Sequence, residues 1–149
     1  MSIGVEKNKK FDLIVWGATG YTGKLVCEYI FEKYKKTNLN WAIAGRNKHK
    51  IDGLISSLNL KGIPHFVADS NNKKSLLKLT KMTNTICSTV GPYAKYGTLL
   101  VEACIESKTN YCDITGETHW IKEIIDKYHT KAIKNKVKVV HACKYNSKP

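Results

Sequence analysis

The sequence predicts a doubly wound α/β fold, in which a parallel sheet of about six strands carries helices on both faces. Two observations lead to this prediction. Short apolar runs alternate with longer segments whose apolar residues recur every three or four positions. The first run, residues 11–16, ends at a turn rich in glycine, and a helical pattern follows directly. With right-handed crossovers, this alternation favours the strand order 3-2-1-4-5-6.

The expected elements follow in chain order, and the length of 149 residues suits a single domain. Apolar runs rich in β-forming residues predict strands at 11–16, 41–45, 65–68, 85–90, 110–114 and 137–142. Helical spacing predicts helices at 22–36, 48–58 and 72–81, a fourth that contains 99–105 and a fifth that contains 121–132. In the first helix we expect one buried stripe, formed by Leu25, Val26, Tyr29, Ile30 and Tyr34.

The turn after the first strand reads G-A-T-G-Y-T-G and is typical of a dinucleotide-binding unit of the Rossmann type. Its spacing leaves two residues between the first glycines, where the commonest fingerprint has one. The first glycine allows a sharp turn, the second lets a pyrophosphate approach, and the third lets the helix pack on the strand. The helix N-terminus offers free N–H groups and a positive dipole end. We therefore expect phosphate binding by Gly17, Ala18, Thr19, Gly20, Tyr21, Thr22 and Gly23; the alternative is a tight turn without a ligand.

The residue after the second strand predicts which dinucleotide binds. An Asp or Glu at this place accepts hydrogen bonds from the ribose of NAD, whereas this chain has Arg46 and Asn47 there and no acid before Asp52. A guanidinium suits a 2′-phosphate because it forms bidentate, charge-assisted hydrogen bonds. The sequence thus predicts NADP (NADPH) rather than NAD, with Arg46 and Asn47 at the site; the alternative is an exposed surface arginine.

Two further strand ends offer cofactor contacts. Asp69 ends the third strand, where its carboxylate either meets the adenine amino group or caps the following helix. The fourth strand ends at the side of the sheet where the nicotinamide half should lie. There we expect contacts from Val90, Gly91, Pro92 and Tyr93, the alternative being a loop shaped by Gly and Pro for turning alone.

Residues beyond the fifth strand give weaker signals. Glu117 either approaches a substrate or only stabilises the N-terminus of the long fifth helix, and we favour the second. We find no partner set that would make a catalytic relay for His119, Trp120 or His141. No catalytic residue is assigned.

Composition argues against several other functions. The net charge of +13 comes from lysines spread along the chain with a single arginine, a distribution that argues against nucleic-acid binding. The five cysteines are scattered without a C-x-x-C pair, so we expect neither disulfides nor a metal site. No run is long enough for a membrane helix, and residues 1–10 look like a disordered leader rather than a secretory signal. We expect an intracellular protein, most simply a cytoplasmic one.

The motifs together resemble those of the saccharopine dehydrogenase-like oxidoreductases. The matching segments are residues 17–23, 44–46, 90–93 with Tyr96-Gly97, and 111–117, in family order. The resemblance implies a Rossmann N-terminal domain, a nicotinamide cofactor and, in longer family members, a following substrate domain. Some relatives act as enoyl reductases in lipid synthesis, and others are associated with membranes or lipid bodies. The family usually continues with Gly-(Phe/Tyr)-Asp-Ser-hydrophobic-Pro, where this chain reads KYNSKP.

Residues 11–149 are therefore expected to form an NAD(P)-binding domain that is the N-terminal part of a longer protein. The expected function is hydride transfer between NADPH and a carbon–carbon or carbon–nitrogen double bond, with the isolated chain inactive. The substrate would be a small molecule or lipid-linked, and homo-oligomers, membrane contact through missing regions, and organelle or lipid-body association are left open. One alternative is a non-catalytic NADP-sensing or partner-binding module. A semialdehyde or acyl-phosphate reductase is disfavoured because none of the cysteines lies at an obvious strand-end loop.

Overall fold

The computed structural model describes residues 9–143 and contains one parallel sheet in the order β3-β2-β1-β4-β5-β6. This confirms the predicted Rossmann-type fold and strand order. The strands are β1 (Phe11–Trp16), β2 (Trp41–Gly45), β3 (His65–Val67), β4 (Thr83–Ser88), β5 (Asn110–Asp113) and β6 (Val139–Val140). The helices are α1 (Tyr21–Tyr34), α2 (Lys48–Leu58), α3 (Lys73–Thr80), α4 (Tyr93–Tyr96), α5 (Thr98–Glu106) and α6 (Thr118–Lys134).

Apolar side chains form two cores, one on each face of the sheet. On one face α1 and α2 pack against β1 and β2, around Val15, Ile43 and Cys27. On the other face α3, α5 and α6 pack against the centre of the sheet, around Ile14, Ile86 and others. Within residues 9–143, no helix is both long and apolar enough to cross a membrane.

Several element bounds differ from the predicted ones because long-range contacts set them. β4 begins at Thr83, two residues before the predicted start, because Thr83 pairs with Phe11. β6 has only two residues, since the backbone N–H of Ala142 turns to the Asp113 carboxylate. The predicted leader falls mainly on residues 1–8, which lie outside the described residues, while Lys9 donates to the Ser107 carbonyl oxygen at 2.7 Å.

The predicted stripe of α1 is buried only in part. Ile30 is buried as expected and Val26 packs against the core, but the side chains of Leu25 and Tyr29 are 50% and 55% exposed. The other buried positions of the helix are Gly23 and Cys27. The reason is that Gly23 packs directly on the Gly17 turn, and this contact fixes the rotation of the helix about its axis.

Among residues 9–143, one half of the sheet is covered on a single face. Along β4 and β5, Ile86 and Tyr111 are buried beneath helices, whereas Cys87 and Cys112 on the opposite face are partly exposed. In β6, Val140 is 50% exposed. Parallel sheets are normally covered on both faces. We call the uncovered side of β4–β6, formed by Thr85, Cys87, Asn110, Cys112 and Val140, the open face.

Candidate cofactor-binding site

The first glycine of the turn is required by the fold itself. Gly17 has φ of +83°, a conformation that favours glycine, and its N–H donates to the Ala44 carbonyl oxygen at 3.0 Å. A Cβ at this position would overlap the side chain of Val90. Gly17 therefore brings the end of β1 close to the loop that follows β4.

The other two glycines of the turn, Gly20 and Gly23, differ in whether packing requires a glycine at that position. A Cβ on Gly23 would overlap the Gly17 carbonyl group, so Gly23 is needed for close packing of α1 on the turn. A Cβ on Gly20 would meet only the Gly17 oxygen, at an ordinary 3.5 Å. Packing among the described residues does not require a glycine at position 20, and the lack of a side chain there keeps the N-terminus of α1 open to a ligand.

The N-terminus of α1 is suited to an anion. Gly20 is its N-cap, and within the described residues no side chain caps this helix and no acidic residue lies in its first turn. Free N–H groups at a helix N-terminus and the positive dipole end attract phosphate oxygens. The turn thus fits the pyrophosphate of a dinucleotide.

A cavity of about 210 Å³ joins the glycine turn to the ends of β2 and β4. It brings Arg46 together with five of the predicted turn and loop residues, Gly17, Thr19, Gly20, Val90 and Gly91. The Thr89 hydroxyl fixes this arrangement by donating toward the carbonyl oxygens of Trp16 and Gly17, both at 3.0 Å. The full lining is Trp16, Gly17, Thr19, Gly20, Gly45, Arg46, Ser70, Thr89, Val90, Gly91 and Tyr96.

The other predicted site residues in the turn and after β2 and β3 lie around this cavity without lining it. Ala18 is buried, and the Tyr21 side chain is 86% exposed. The side-chain oxygen of Asn47 accepts from the Lys50 N–H and caps α2. Asp69 Oδ1 accepts from the Asn71 N–H, and Ser70 is the neighbour that reaches the cavity. Their roles toward the cofactor stay predictions, as does that of Thr22.

After β4, the predicted loop continues into α4, a single helical turn that the sequence pattern did not reveal. Pro92 is its N-cap, and the buried Tyr93 donates its hydroxyl to the Ser88 carbonyl oxygen at 3.1 Å. Glu117 accepts from the N–H groups of Tyr93 and Ala94, at 2.7 and 2.9 Å. The Glu117 side chain thus caps α4, while the residue itself occupies the N-cap position of α6 without a side-chain hydrogen bond to that helix.

Tyr96 is a cavity residue that sequence reasoning did not assign to the site. It follows Pro92 by one turn of α4, and this spacing could have placed it beside the cavity. Hydrogen bonding to the Lys95 ammonium lowers the pKa of the Tyr96 hydroxyl, and the Arg46 guanidinium lowers it further. Tyr96 and Arg46 therefore meet at one side of the cavity.

His141, for which the sequence indicated no partner set of a catalytic relay, has a hydrogen-bond partner in the structure. His141 Nδ1 lies 2.8 Å from Asp113 Oδ2, which also accepts the Tyr111 hydroxyl at 2.7 Å. Asp113 Oδ1 accepts the N–H groups of Thr115 and Ala142. Burial favours the neutral acid, yet these hydrogen bonds prevail and lower the pKa of Asp113. His141 Nε2 is buried and has no hydrogen-bond partner among the described residues.

Curated relatives match nearly the whole chain. It is 34% identical over 146 residues to a lipid droplet localized protein of Caenorhabditis elegans, covering 94% of this chain and 34% of the relative. It is 33% identical over 143 residues to a trans-acting enoyl reductase of Mycobacterium tuberculosis, covering 95% of this chain and 34% of the relative. The chain thus spans about a third of the length of these relatives.

Solved structures share the fold. Saccharopine dehydrogenase (L-Glu forming) from Saccharomyces cerevisiae matches with a TM-score of 0.71 and 16% identity, over 89% of this chain and 27% of that one. The triphenylmethane reductase of Citrobacter sp., solved in complex with NADP(H), matches with a TM-score of 0.62 and 18% identity, over 87% of this chain and 48% of that one.

The family model described as the saccharopine dehydrogenase NADP binding domain matches residues 13–140. This range runs from β1 to β6 and includes every element that lines the cavity. The chain therefore belongs to the saccharopine dehydrogenase NADP-binding-domain family, and its cofactor is NADP.

Proposed function

We propose that this chain holds NADPH for an oxidoreductase that transfers hydride between the cofactor and a carbon–carbon or carbon–nitrogen double bond. The observation that carries the proposal is that Arg46 and the glycine turn line one cavity at the carboxyl edge of the sheet. The trans-acting enoyl reductase and the saccharopine dehydrogenase named above support the reaction class. In this proposal the additional two thirds found in longer relatives supply the substrate site, and the chain alone binds NADPH without turnover.

The chain's own residues would orient the cofactor along this edge. The N–H groups at the start of α1 would bind the pyrophosphate, with Gly20 leaving room for it. The β4 loop at Val90 and Gly91 would face the nicotinamide half, held against the turn by the Thr89 hydroxyl. When bound, NADPH supplies the hydride.

Arg46 would bind the 2′-phosphate that distinguishes NADP from NAD. It is exposed at the end of β2, and Tyr96 lies beside it at the same side of the cavity. Asn47 follows it and closes the N-terminus of α2. Asp69 stands at the end of β3, where its exposed carboxylate would remain available to the adenine side of the cofactor.

Replacing Arg46 tests the proposed contact. We expect Arg46→Glu to weaken NADPH binding by about ten- to a hundredfold, because a charge-assisted hydrogen bond contributes about 1.5–3 kcal/mol. Binding of NADH, which lacks the 2′-phosphate, should change far less. Isothermal titration of both dinucleotides measures the two effects.

Lys48→Glu is the matched control. It makes the same change of charge two residues away, on a side chain that pairs with Asp52 at 2.9 Å and does not line the cavity. The control should keep most of the preference for NADPH. An unchanged preference in Arg46→Glu, or an equal loss in both variants, would show that Arg46 does not bind the 2′-phosphate.

A further inference from the structure

A row of in-register residues crosses the open face of the sheet. Val15 lies opposite Cys87, Cys87 opposite Cys112, and Cys112 opposite Val140. Exposure rises along this row, from fully buried Val15 through two partly exposed cysteines to half-exposed Val140. Two thiols thus stand side by side at a place that solvent and small molecules can reach.

The spacing of this pair permits a disulfide. Neighbouring strands lie about 4.8 Å apart, and the Cα separation in disulfides is usually about 4.4–6.8 Å. The two thiols are within hydrogen-bonding reach of each other, and this contact lowers the pKa of Cys87 while it raises that of Cys112. Cys87 is therefore the better nucleophile of the two, since the thiolate is the reactive form.

We propose that Cys87 and Cys112 form a redox modification site, which hydroperoxides convert to a disulfide and small thiols restore. The inference is independent of the proposed function, because it requires neither NADPH nor a substrate. It also goes against the sequence-based expectation that the scattered cysteines form no disulfide: they are 25 residues apart in the chain and become neighbours only through the pairing of β4 with β5.

The chemistry balances with a hydroperoxide as the oxidant. The Cys87 thiolate attacks the O–O bond, which breaks to give the Cys87 sulfenic acid and an alcohol or water after proton uptake. The Cys112 thiol then attacks the sulfenic sulfur, so that the S–S bond forms, the S–O bond breaks and water leaves. Two equivalents of a small thiol reverse the oxidation by exchange through a mixed disulfide.

The other cysteines in the described part of the chain are placed differently. Cys27 and Cys104 are fully buried, and burial raises the pKa of both thiols, that of Cys27 to about 12. Cys143 is exposed but lies beyond β6, outside the strand register that joins the pair. No group of three or more His, Cys, Asp or Glu side chains within residues 9–143 is arranged to hold a metal ion.

Peptide mapping after mild peroxide treatment tests the site on the whole chain. Lys95 and Lys108 separate the two cysteines in sequence, so tryptic cleavage places them in different peptides. We expect one linked pair, Cys87 with Cys112, that disappears on treatment with dithiothreitol. Cys27 and Cys104 should remain free thiols.

Two variants separate the pair from Cys143. Cys143→Ser should form the same link as the wild type, whereas Cys112→Ser should accumulate a sulfenic acid at Cys87 that dimedone traps. A link to Cys143, or the absence of any link when Cys143 is oxidised, would overturn the proposal. Because the wild-type map decides between these outcomes alone, a poorly folded Cys112→Ser variant, detected by circular dichroism, does not affect the test.

Discussion

Gly20 and Gly23 belong to the same turn, but the surroundings of a Cβ atom differ at the two positions. At Gly23 a methyl group would collide with the turn, whereas at Gly20 it would touch only one oxygen at ordinary distance. The packing therefore requires glycine at position 23 but not at position 20, where we propose that it leaves room for the ligand. Sequence spacing alone assigns both to one motif and does not separate these roles.

Alanine at each position should separate stability from binding. We expect Gly20→Ala to leave the melting temperature nearly unchanged and to weaken NADPH binding about tenfold, since one methyl group forced into a tight contact costs about 1–3 kcal/mol. Gly23→Ala should instead lower the free energy of unfolding by a similar amount. Urea denaturation and NADPH titration of both variants measure this. Loss of stability in Gly20→Ala with intact binding would contradict the assignment.

The buried carboxylate of Asp113 holds the chain in place where it leaves β6. Its carboxylate accepts hydrogen bonds from Tyr111, His141 and two backbone N–H groups. The sequence could not predict this arrangement, because Asp113 and His141 are 28 residues apart and meet only when β5 and β6 pair. One sequence signal could have indicated it: His141 directly follows β6, and the neighbouring strand β5 ends in Asp113.

Asparagine at position 113 should destabilise the chain by about 1–3 kcal/mol, because it removes one acceptor from buried donors. The pKa of Asp113 is lowered on folding, so its stabilising effect is complete above its unfolded pKa of about 3.9 and is lost as pH falls through the lower folded value. The difference between wild type and Asp113→Asn should therefore shrink below about pH 4. Urea unfolding as a function of pH measures it.

Asp126→Asn is the comparison for that series, since Asp126 pairs with Lys122 on the exposed side of α6. Such surface pairs contribute about 0–1 kcal/mol. An equal effect of the two substitutions at neutral pH, or a loss in Asp113→Asn that does not depend on pH, would contradict a stabilising buried carboxylate.

The sequence predicted all six strands and their order, and the differences in the elements arise from contacts that hydropathy patterns do not encode. Apolar runs such as 11–16 and 41–45 mark buried parallel strands closely, because both faces of β1 and β2 are covered. The rotation of α1 was not predictable from hydropathy, since Gly23 sets it without an apolar side chain of its own. α4 is too short for a periodic pattern, and its cap comes from Glu117, more than twenty residues away.

In the candidate site, residues that directly follow a strand were predictable, and residues that the loops bring to the cavity were not. The glycine turn, Arg46 and the β4 loop were predictable because each directly follows an apolar strand, and parallel strands bring their carboxyl ends to one edge. Tyr96 and Ser70 reach the cavity through the course of the loops after β4 and β3, which no strand pattern specifies.

The molecule as a whole is an NADP-binding Rossmann domain, and in the part of the chain that the structure describes one half of its sheet is covered on a single face. Its cavity lies at the carboxyl edge of the sheet, between β1 and β4, where the strand order reverses. Open α/β sheets bind their ligands at this place. About two thirds of each longer relative lies outside the segment that matches this chain. We therefore propose that this chain binds the cofactor and that the additional part found in the longer relatives binds the substrate.

We propose that the turn and Arg46 bind NADPH in preference to NADH. Isothermal titration of the wild-type chain with both dinucleotides, under the same salt and pH, measures this preference. We predict a dissociation constant for NADPH about ten- to a hundredfold lower than that for NADH, as one charge-assisted contact to the 2′-phosphate would give. Equal affinities, or tighter binding of NADH, would show that the chain does not select for the 2′-phosphate.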